Sequence, residues 1–194
     1  MKNQTKNRCE WPGSEEKDAL MVKYHDEEWG TPCRDDLKLF EYVILDTFQA
    51  GLSWRTILHK RENFRKAFDN FNPVKIAKYG EKDVKRLMNN AGIIRNRLKI
   101  LGAIENARKF LEIQKEFGSL SKYLWQFTGH KTINNRIKYL KEMGATSKES
   151  DAMSRDMKKR GFKFVGSTVC YAFMQGAGMV NDHIVKCFRH KEVQ

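Results

Sequence analysis

The chain has 194 residues, 40% of them hydrophobic and 11% aromatic, which is enough apolar material for one packed domain and argues against wholesale disorder. No run of about 18 apolar residues is present, and Met1 to Arg8 is polar throughout; this excludes a membrane-spanning helix and a secretory leader and predicts a cytoplasmic protein. A net charge of +13 suits a polyanionic partner, because each neutralised phosphate releases counterions, although a plain solubility charge has the same sign.

Cys9 and His25 stand near the start of the chain, with Trp11 between them and Trp29 just beyond. Helical spacing then dominates. From Asp35 to Gln49, Leu37, Phe40, Ile44 and Phe48 share one face. Trp54 to Phe68 repeats the pattern behind Ser53, which suits an N-cap, and Pro73 suits the first position of a short helix. The stretch Val84–Ile100, VKRLMNNAGIIRNRLKI, reads as a helix-hairpin-helix. An amphipathic helix ends near Ala91, Gly92 permits a tight turn, Ile93 plugs the hairpin, and a basic helix starts near Arg95. Such a hairpin presents backbone N–H groups to a phosphate without reading sequence, so Gly92, Ile93, Ile94, Arg95 and Arg97 are the expected DNA-binding positions, with Lys99 adding charge. An ordinary helical hairpin with a glycine cap gives the same pattern.

Between Arg95 and Ile113 the stripe Leu98, Leu101, Ile104, Ala107, Leu111 predicts a buried face. Gly129 to Lys148 is polar and predicts a long loop with one short helix. Ser150 is placed to cap a helix that stops at Gly161, and Gly166 to Gly176 reads as a buried apolar helix. With no linker strong enough to divide it, residues 1–194 are expected to form one all-α, two-lobed helical bundle.

Two groupings carry chemistry. In HIVKC, His183 and Cys187 are four apart, which on a helix places both on one face. Together with Cys9 and His25 they make a two-thiolate, two-imidazole set of the kind that closes a structural zinc site and clamps the chain ends together. A partly buried cysteine beside a surface histidine is the alternative. Cys33 and Cys170 read as buried thiols, and His59, His130 and His190 as solvated surface. The other grouping is Asp46 among Trp11, Tyr24, Trp29 and Trp54. A carboxylate beside aromatic faces can recognise a flat cation, though from the residues alone tryptophans in the core and a solvated acid at a helix end are the favoured reading.

The stretches YHDEEWG, QAGLSW, ILHKRENFRKAF, FNPVKIA, AGIIRNRLKI, KKRGFKFVGST and GMVNDHIVKC, in this order between Cys9 and Cys187, resemble the 3-methyladenine DNA glycosylase I family. The resemblance implies an all-helical fold of the helix-hairpin-helix glycosylase superfamily. It also implies a structural zinc on Cys9, His25, His183 and Cys187, and a base pocket at Tyr24, Trp29, Asp46 and Trp54 with Trp11 nearby. Gly51 and Leu52 would fill the space left by an extruded nucleotide. The implied substrate is 3-methyladenine in alkylated double-stranded DNA. Trp54 would stack on the base while Tyr24 and Asp46 hydrogen-bond its edge. Water would then release the base and leave an abasic site, with no strand cleavage. A monomer without a protein partner is expected. The sequence departs from the family where Asp46 replaces a glutamate, Met21 an aromatic and Phe48 a glutamine. A non-catalytic, zinc-stabilised DNA-binding module and a structural adaptor are the rival readings.

Overall fold

A computed structural model describes residues 6–193; residues 1–5 and 194, which the single-domain reading also spans, lie outside the described residues. The described chain is mostly helical. Helix α1 (Glu15–Glu27) is followed by α2 (Asp36–Gln49), α3 (Trp54–Ala67), α4 (Pro73–Ile76), α5 (Glu81–Met88) and α6 (Arg97–Phe117). After α7 (Leu120–Trp125) come a two-residue strand β1 (Ile133–Asn134), α8 (Lys148–Lys159), α9 (Ser167–Gly176), β2 (Val180–Asn181) and α10 (Phe188–Glu192). Among the described residues, no helix is long and apolar enough to cross a membrane.

Local chemistry sets the boundaries. Asp35, Ser53, Asn72 and Asn96 each accept the N–H three residues on, capping α2, α3, α4 and α6, and Pro73 opens α4. Ser150 does not cap α8. Ser147 does, and Ser150 returns a bond to the Ser147 N–H at 2.8 Å, so the cap is a reciprocal box one turn earlier than expected.

Helix α2 lies at the centre, packed on α3, α6, α7 and α9. Its Phe40, Ile44 and Phe48 are fully buried, but Leu37 is 52% exposed because the buried arc is centred on Leu39, Val43 and Ile44. On α6 the expected stripe is displaced. Ile104 and Ala107 are buried, whereas Leu98 is 69% exposed, Leu101 is exposed and Leu111 is half-buried; the buried face runs through Ile100, Ala103, Ile104, Ala107, Phe110 and Ile113. Both sets have helical spacing, so periodicity alone cannot choose between them. Residues 129–148 hold β1 and a single 3-10 turn, Leu140–Glu142. Strand β1 pairs in parallel with β2, Ile133 opposite Val180, in a ladder too short to leave an alternating pattern.

A turn joins α5 to α6, with Ile93 buried beneath it. Gly92 donates its N–H to the Asn90 side chain at 2.8 Å, and Lys60 reaches the carbonyls of Ala91 and Gly92. Lys99 is not a surface charge. Its stem is buried and its Nζ donates to the carbonyls of Phe48 and Ala50, which would otherwise go unpaired at the end of α2. Arg97 is exposed but forms a two-point pair with Glu81, and Ile94 is half-buried. Arg95 is exposed and makes no ion pair among the described residues.

Candidate aromatic pocket and metal centre

A second, smaller apolar cluster joins the two ends of the chain: Cys9, Met21, Tyr24, Trp29, Leu58, Ile137, Ile184 and Cys187. It encloses four donor atoms, from Cys9, His25, His183 and Cys187, all buried and all within 4.8 Å of one another. His183 and Cys187 do not share a helix. The segment is a turn, closed by the Cys187 N–H on the Ile184 carbonyl, and it brings the pair together as a helix would have done. Cys187 Sγ lies 3.6 Å from both His25 Nε2 and His183 Nδ1, and Cys9 Sγ lies 3.6 Å from His183 Nδ1. With bonds of ~2.3 Å to sulfur and ~2.05 Å to nitrogen, a tetrahedral ion gives a sulfur–nitrogen edge of about 3.6 Å, so these three donor pairs have the spacing that a zinc-like ion would need. The remaining ring nitrogens are also engaged. His183 Nε2 donates to the Trp29 carbonyl at 2.9 Å, and His25 Nδ1 to Asp26, which Arg8 grips from the other side. The proton shared from Cys9, together with the two imidazoles, holds the Cys187 thiol far below its ordinary range.

The same cluster forms one wall of a cavity of about 170 Å³ lined by Trp11, Met21, Tyr24, Trp29, Asp46, Gln49, Trp54, Met143, Ala172 and Gln175. That is below the ~300 Å³ of ordinary ligand pockets and suits a single small planar ring system. A larger groove of about 820 Å³ lies between α5, α6 and the turn at 161–164, but it lacks the buried acid and unpartnered donors that converge in the smaller cavity. Trp11 meets Trp29 edge-on at 5.0 Å, and Tyr24 lies 5.1 Å from Trp54. The indole Nε1 atoms of Trp11 and Trp54 are buried with no partner. Trp54 itself is only half-buried, so it is a wall of the cavity and not part of a sealed interior.

Asp46 is 6% exposed, and burial alone pushes its carboxyl well above the usual carboxylate range. Burial, followed by the nearby Asp46, pushes the Tyr24 hydroxyl upward, so the phenol stays a neutral donor. Neither the solvated acid nor the purely structural tryptophans of the alternative reading describe this arrangement. A cavity walled by aromatic faces, holding an uncompensated acid and two free N–H donors, is built to take a flat polar ring that brings positive charge.

The methyladenine glycosylase family model matches residues 14–190. The chain belongs to the methyladenine glycosylase family. Members of this family hydrolyse N-glycosidic bonds. DNA-3-methyladenine glycosylase 1 of Escherichia coli strain K12 is 48% identical over 180 residues, 93% of this chain and 95% of its own. A crystal structure of a 3-methyladenine DNA glycosylase I superposes with a TM-score of 0.90 at 46% identity, covering 94% of this chain and 98% of that one. The 3-methyladenine DNA glycosylase I of Staphylococcus aureus, whose structure concerns recognition of 3-methyladenine, gives a TM-score of 0.89 at 34% identity, over 94% and 95% of the two chains.

In this methyladenine glycosylase the cavity gathers five of the residues singled out in the sequence: Trp11, Tyr24, Trp29, Asp46 and Trp54. Gly51 and Leu52 do not line it. They form an exposed turn beyond α2, with Gly51 at a φ of 80° that favours glycine. Phe48 is sealed in the main core against Phe64 and Phe68. Cys170 is buried as expected, but Cys33 is only half-buried. His130 is exposed; His59, also exposed, meets Asp18 at 3.0 Å, and His190 is buried on Asn134 at 3.1 Å. Sequence reasoning missed Gln49, Met143, Ala172 and Gln175. Met143 comes from the polar stretch that carried no readable pattern. Gln175, a long amide near the end of a buried helix, was a usable signal.

Proposed function

We propose that this chain hydrolyses the N-glycosidic bond of 3-methyladenine in alkylated double-stranded DNA, releasing the base and leaving an abasic site. The observation that carries this reading is the lone buried carboxyl of Asp46 inside an aromatic cavity of single-ring-system size. Methylation at N3 makes adenine cationic while it is still attached to the sugar. Such a base supplies the positive charge that Asp46 lacks, and the aromatic faces attract it further. The bond is already weakened because the base departs neutral, so recognition and extrusion do most of the catalysis and little proton transfer is needed.

In this reading Trp54 stacks on the extruded base and Tyr24 and Asp46 meet its edge. Trp11 and Trp29 complete the walls, and Gly51 and Leu52, exposed beside the cavity, occupy the gap left in the duplex. Asp46 is a recognition and electrostatic residue, and water is the nucleophile at the sugar carbon. The described residues that line the cavity include no lysine that would form a Schiff base, consistent with base release without strand cleavage. The hairpin at Gly92, Ile93 and Ile94, with Arg95 and Arg97, would hold the phosphate backbone of the DNA. Cys9, His25, His183 and Cys187 would hold one structural zinc, a closed four-ligand site whose contribution is to fix the cavity wall. The chain is proposed to act as a monomer.

The test is to incubate the protein with methylated DNA and chromatograph the liberated bases. Release of 3-methyladenine is expected, and Asp46→Asn and Trp54→Ala should each slow it by ~100-fold or more. Wild-type rates in both variants would remove the pocket assignment, and no released base at all would favour a non-catalytic DNA-binding module.

A further inference from the structure

Gln175 stands on α9 and lines the cavity. Its backbone carbonyl accepts the Gly30 N–H at 3.0 Å, which pins this end of α9 to the turn after α1. Its side-chain Nε2 donates to Asp182 Oδ2 at 2.8 Å. Asp182 is 1% exposed, and two further donors reach it: the Tyr171 hydroxyl at 2.8 Å and Asn135 Nδ2 at 2.6 Å. Asn135 Nδ2 also lies 3.2 Å from the Tyr171 hydroxyl, so the three side chains brace one another behind the cavity.

A carboxylate ringed by donors acts as an acceptor. It therefore decides which end of the Gln175 amide faces it, since only the NH₂ end can bond to it. The carbonyl end is then the group left for a ligand. The network, not the glutamine alone, holds an acceptor at the cavity. The other polar groups of the cavity are the Asp46 carboxyl, the Tyr24 hydroxyl, the Gln49 amide, the Trp29 indole and the two unpartnered indole N–H groups of Trp11 and Trp54. Gln49 carries the same amide, but its side chain makes no hydrogen bond among the described residues, so nothing fixes which end it presents, whereas the Gln175 amide is anchored on buried Asp182.

We propose that Gln175 is a specificity-determining residue: its amide oxygen accepts a hydrogen bond from the exocyclic amine of the captured purine, and Asp182, braced by Tyr171 and Asn135, is the positioning residue that keeps the amide from turning over. The proposal rests on the cavity being the base pocket. It names what the pocket selects, a purine with an amine at C6 over one with a carbonyl there. A carbonyl would set oxygen against oxygen in a desolvated site and leave both unpaired.

The experiment compares binding of free 3-methyladenine and free 3-methylhypoxanthine, which differ in amine against carbonyl at C6. Quenching of tryptophan fluorescence in the full-length protein reads binding. The wild type should prefer 3-methyladenine by about 10- to 100-fold, the scale set by an unpaired buried acceptor. Gln175→Met keeps the chain length and removes the acceptor, so the preference should fall towards one through weaker binding of 3-methyladenine. Asp182→Asn should narrow it in part while metal content per chain stays at the wild-type value, because His183 is untouched. The preference is a ratio within each sample, so a variant that is partly unfolded still reports it. A wild-type protein without preference, or a Gln175→Met variant that keeps it, overturns the role of Gln175 and leaves the base-pocket reading standing. Absence of any 3-methyladenine binding overturns both.

Discussion

The larger cluster packs Phe40, Phe48, Phe64, Phe68 and Phe110 between α2, α3, α4 and α6, with aromatic neighbours at 4.8–6.1 Å, and no polar group is needed to hold them. The smaller cluster is organised differently. Its apolar residues surround two cysteines and two histidines, and one of its sides is the open cavity. Trp29 packs edge-on against His183 at 4.6 Å, and Trp11 against His25 at 5.4 Å, so two side chains of the cavity wall rest directly on two of the candidate metal ligands. Burial of area makes the first region stable on its own. The second leaves part of its apolar surface open at the cavity, and its four donors would depend on a bound ion to stay in place. The site thus belongs to the weaker of the two regions, and disturbing each should have separable consequences.

The largest effect is expected from breaking the coordination. Cys9→Ser or His183→Ala should lose stoichiometric zinc and reduce base release on the order of 100-fold, the loss that displacement of a wall by ~1 Å produces. Far-UV circular dichroism should remain mostly helical, because the larger cluster does not depend on the metal. Full zinc content in either variant would defeat the four-ligand site. Loss of all helical signal would show that the two regions are not separable.

The converse change is in the larger cluster. Phe110→Ala, 5.1 Å from Phe40 and outside the cavity lining, should cost about 3–5 kcal/mol of stability, measured by denaturant unfolding. Base release per folded molecule should stay near the wild-type rate at a temperature where the variant remains folded. A parallel loss of activity would mean that the core and the site are one unit.

These two regions were unequally legible in the sequence. The core helices announce themselves through caps and spacing, as at Ser53 and Pro73, and the errors there are rotations, since Leu98 and Ile100 both fit a helical stripe and only packing decides between them. The Asp46 cavity was legible as a set of residue types, because an acid among four aromatics is chemically unusual. Its full lining was not, since Met143 and Gln175 are brought in by long-range packing that leaves no local pattern. The four clustered donors were nameable from their chemistry, but His183 and Cys187 are joined by a turn where a helix was expected, because both conformations satisfy the same separation. The turn between α5 and α6 falls at Gly92 and Ile93, where the sequence places it, but Lys99 is not a surface charge: it is taken up in capping α2.

Within the cavity, Asp46 should trade stability for recognition. The folded chain binds its proton more tightly than the unfolded chain does, so stability falls as pH rises from the ordinary aspartate value of 3.8 through the higher folded value. Asp46→Asn removes that liability. The variant should melt roughly 2–6 °C higher at neutral pH, the span of a typical gain from relieving a functional site. The advantage should vanish as the pH falls below 3.8, where the wild-type acid is protonated in both the folded and the unfolded state. An advantage that persists unchanged into acid would mean that the substituted amide acts through packing and not through charge.

The smallest effects concern the hairpin, where neighbouring arginines should differ. Arg95 is exposed with no ion pair among the described residues, whereas Arg97 is held by two bonds of 3.0 Å to Glu81. If Arg95 neutralises one phosphate, Arg95→Gln should weaken binding to any duplex and lower the slope of log affinity against log salt by about 1. Arg97→Gln should move that slope less, because its charge is already answered within the protein, and Glu81→Gln should raise affinity by freeing it. Equal slope changes for Arg95→Gln and Arg97→Gln would show that the pair opens on DNA. No change for Arg95→Gln would place the backbone contact away from this hairpin.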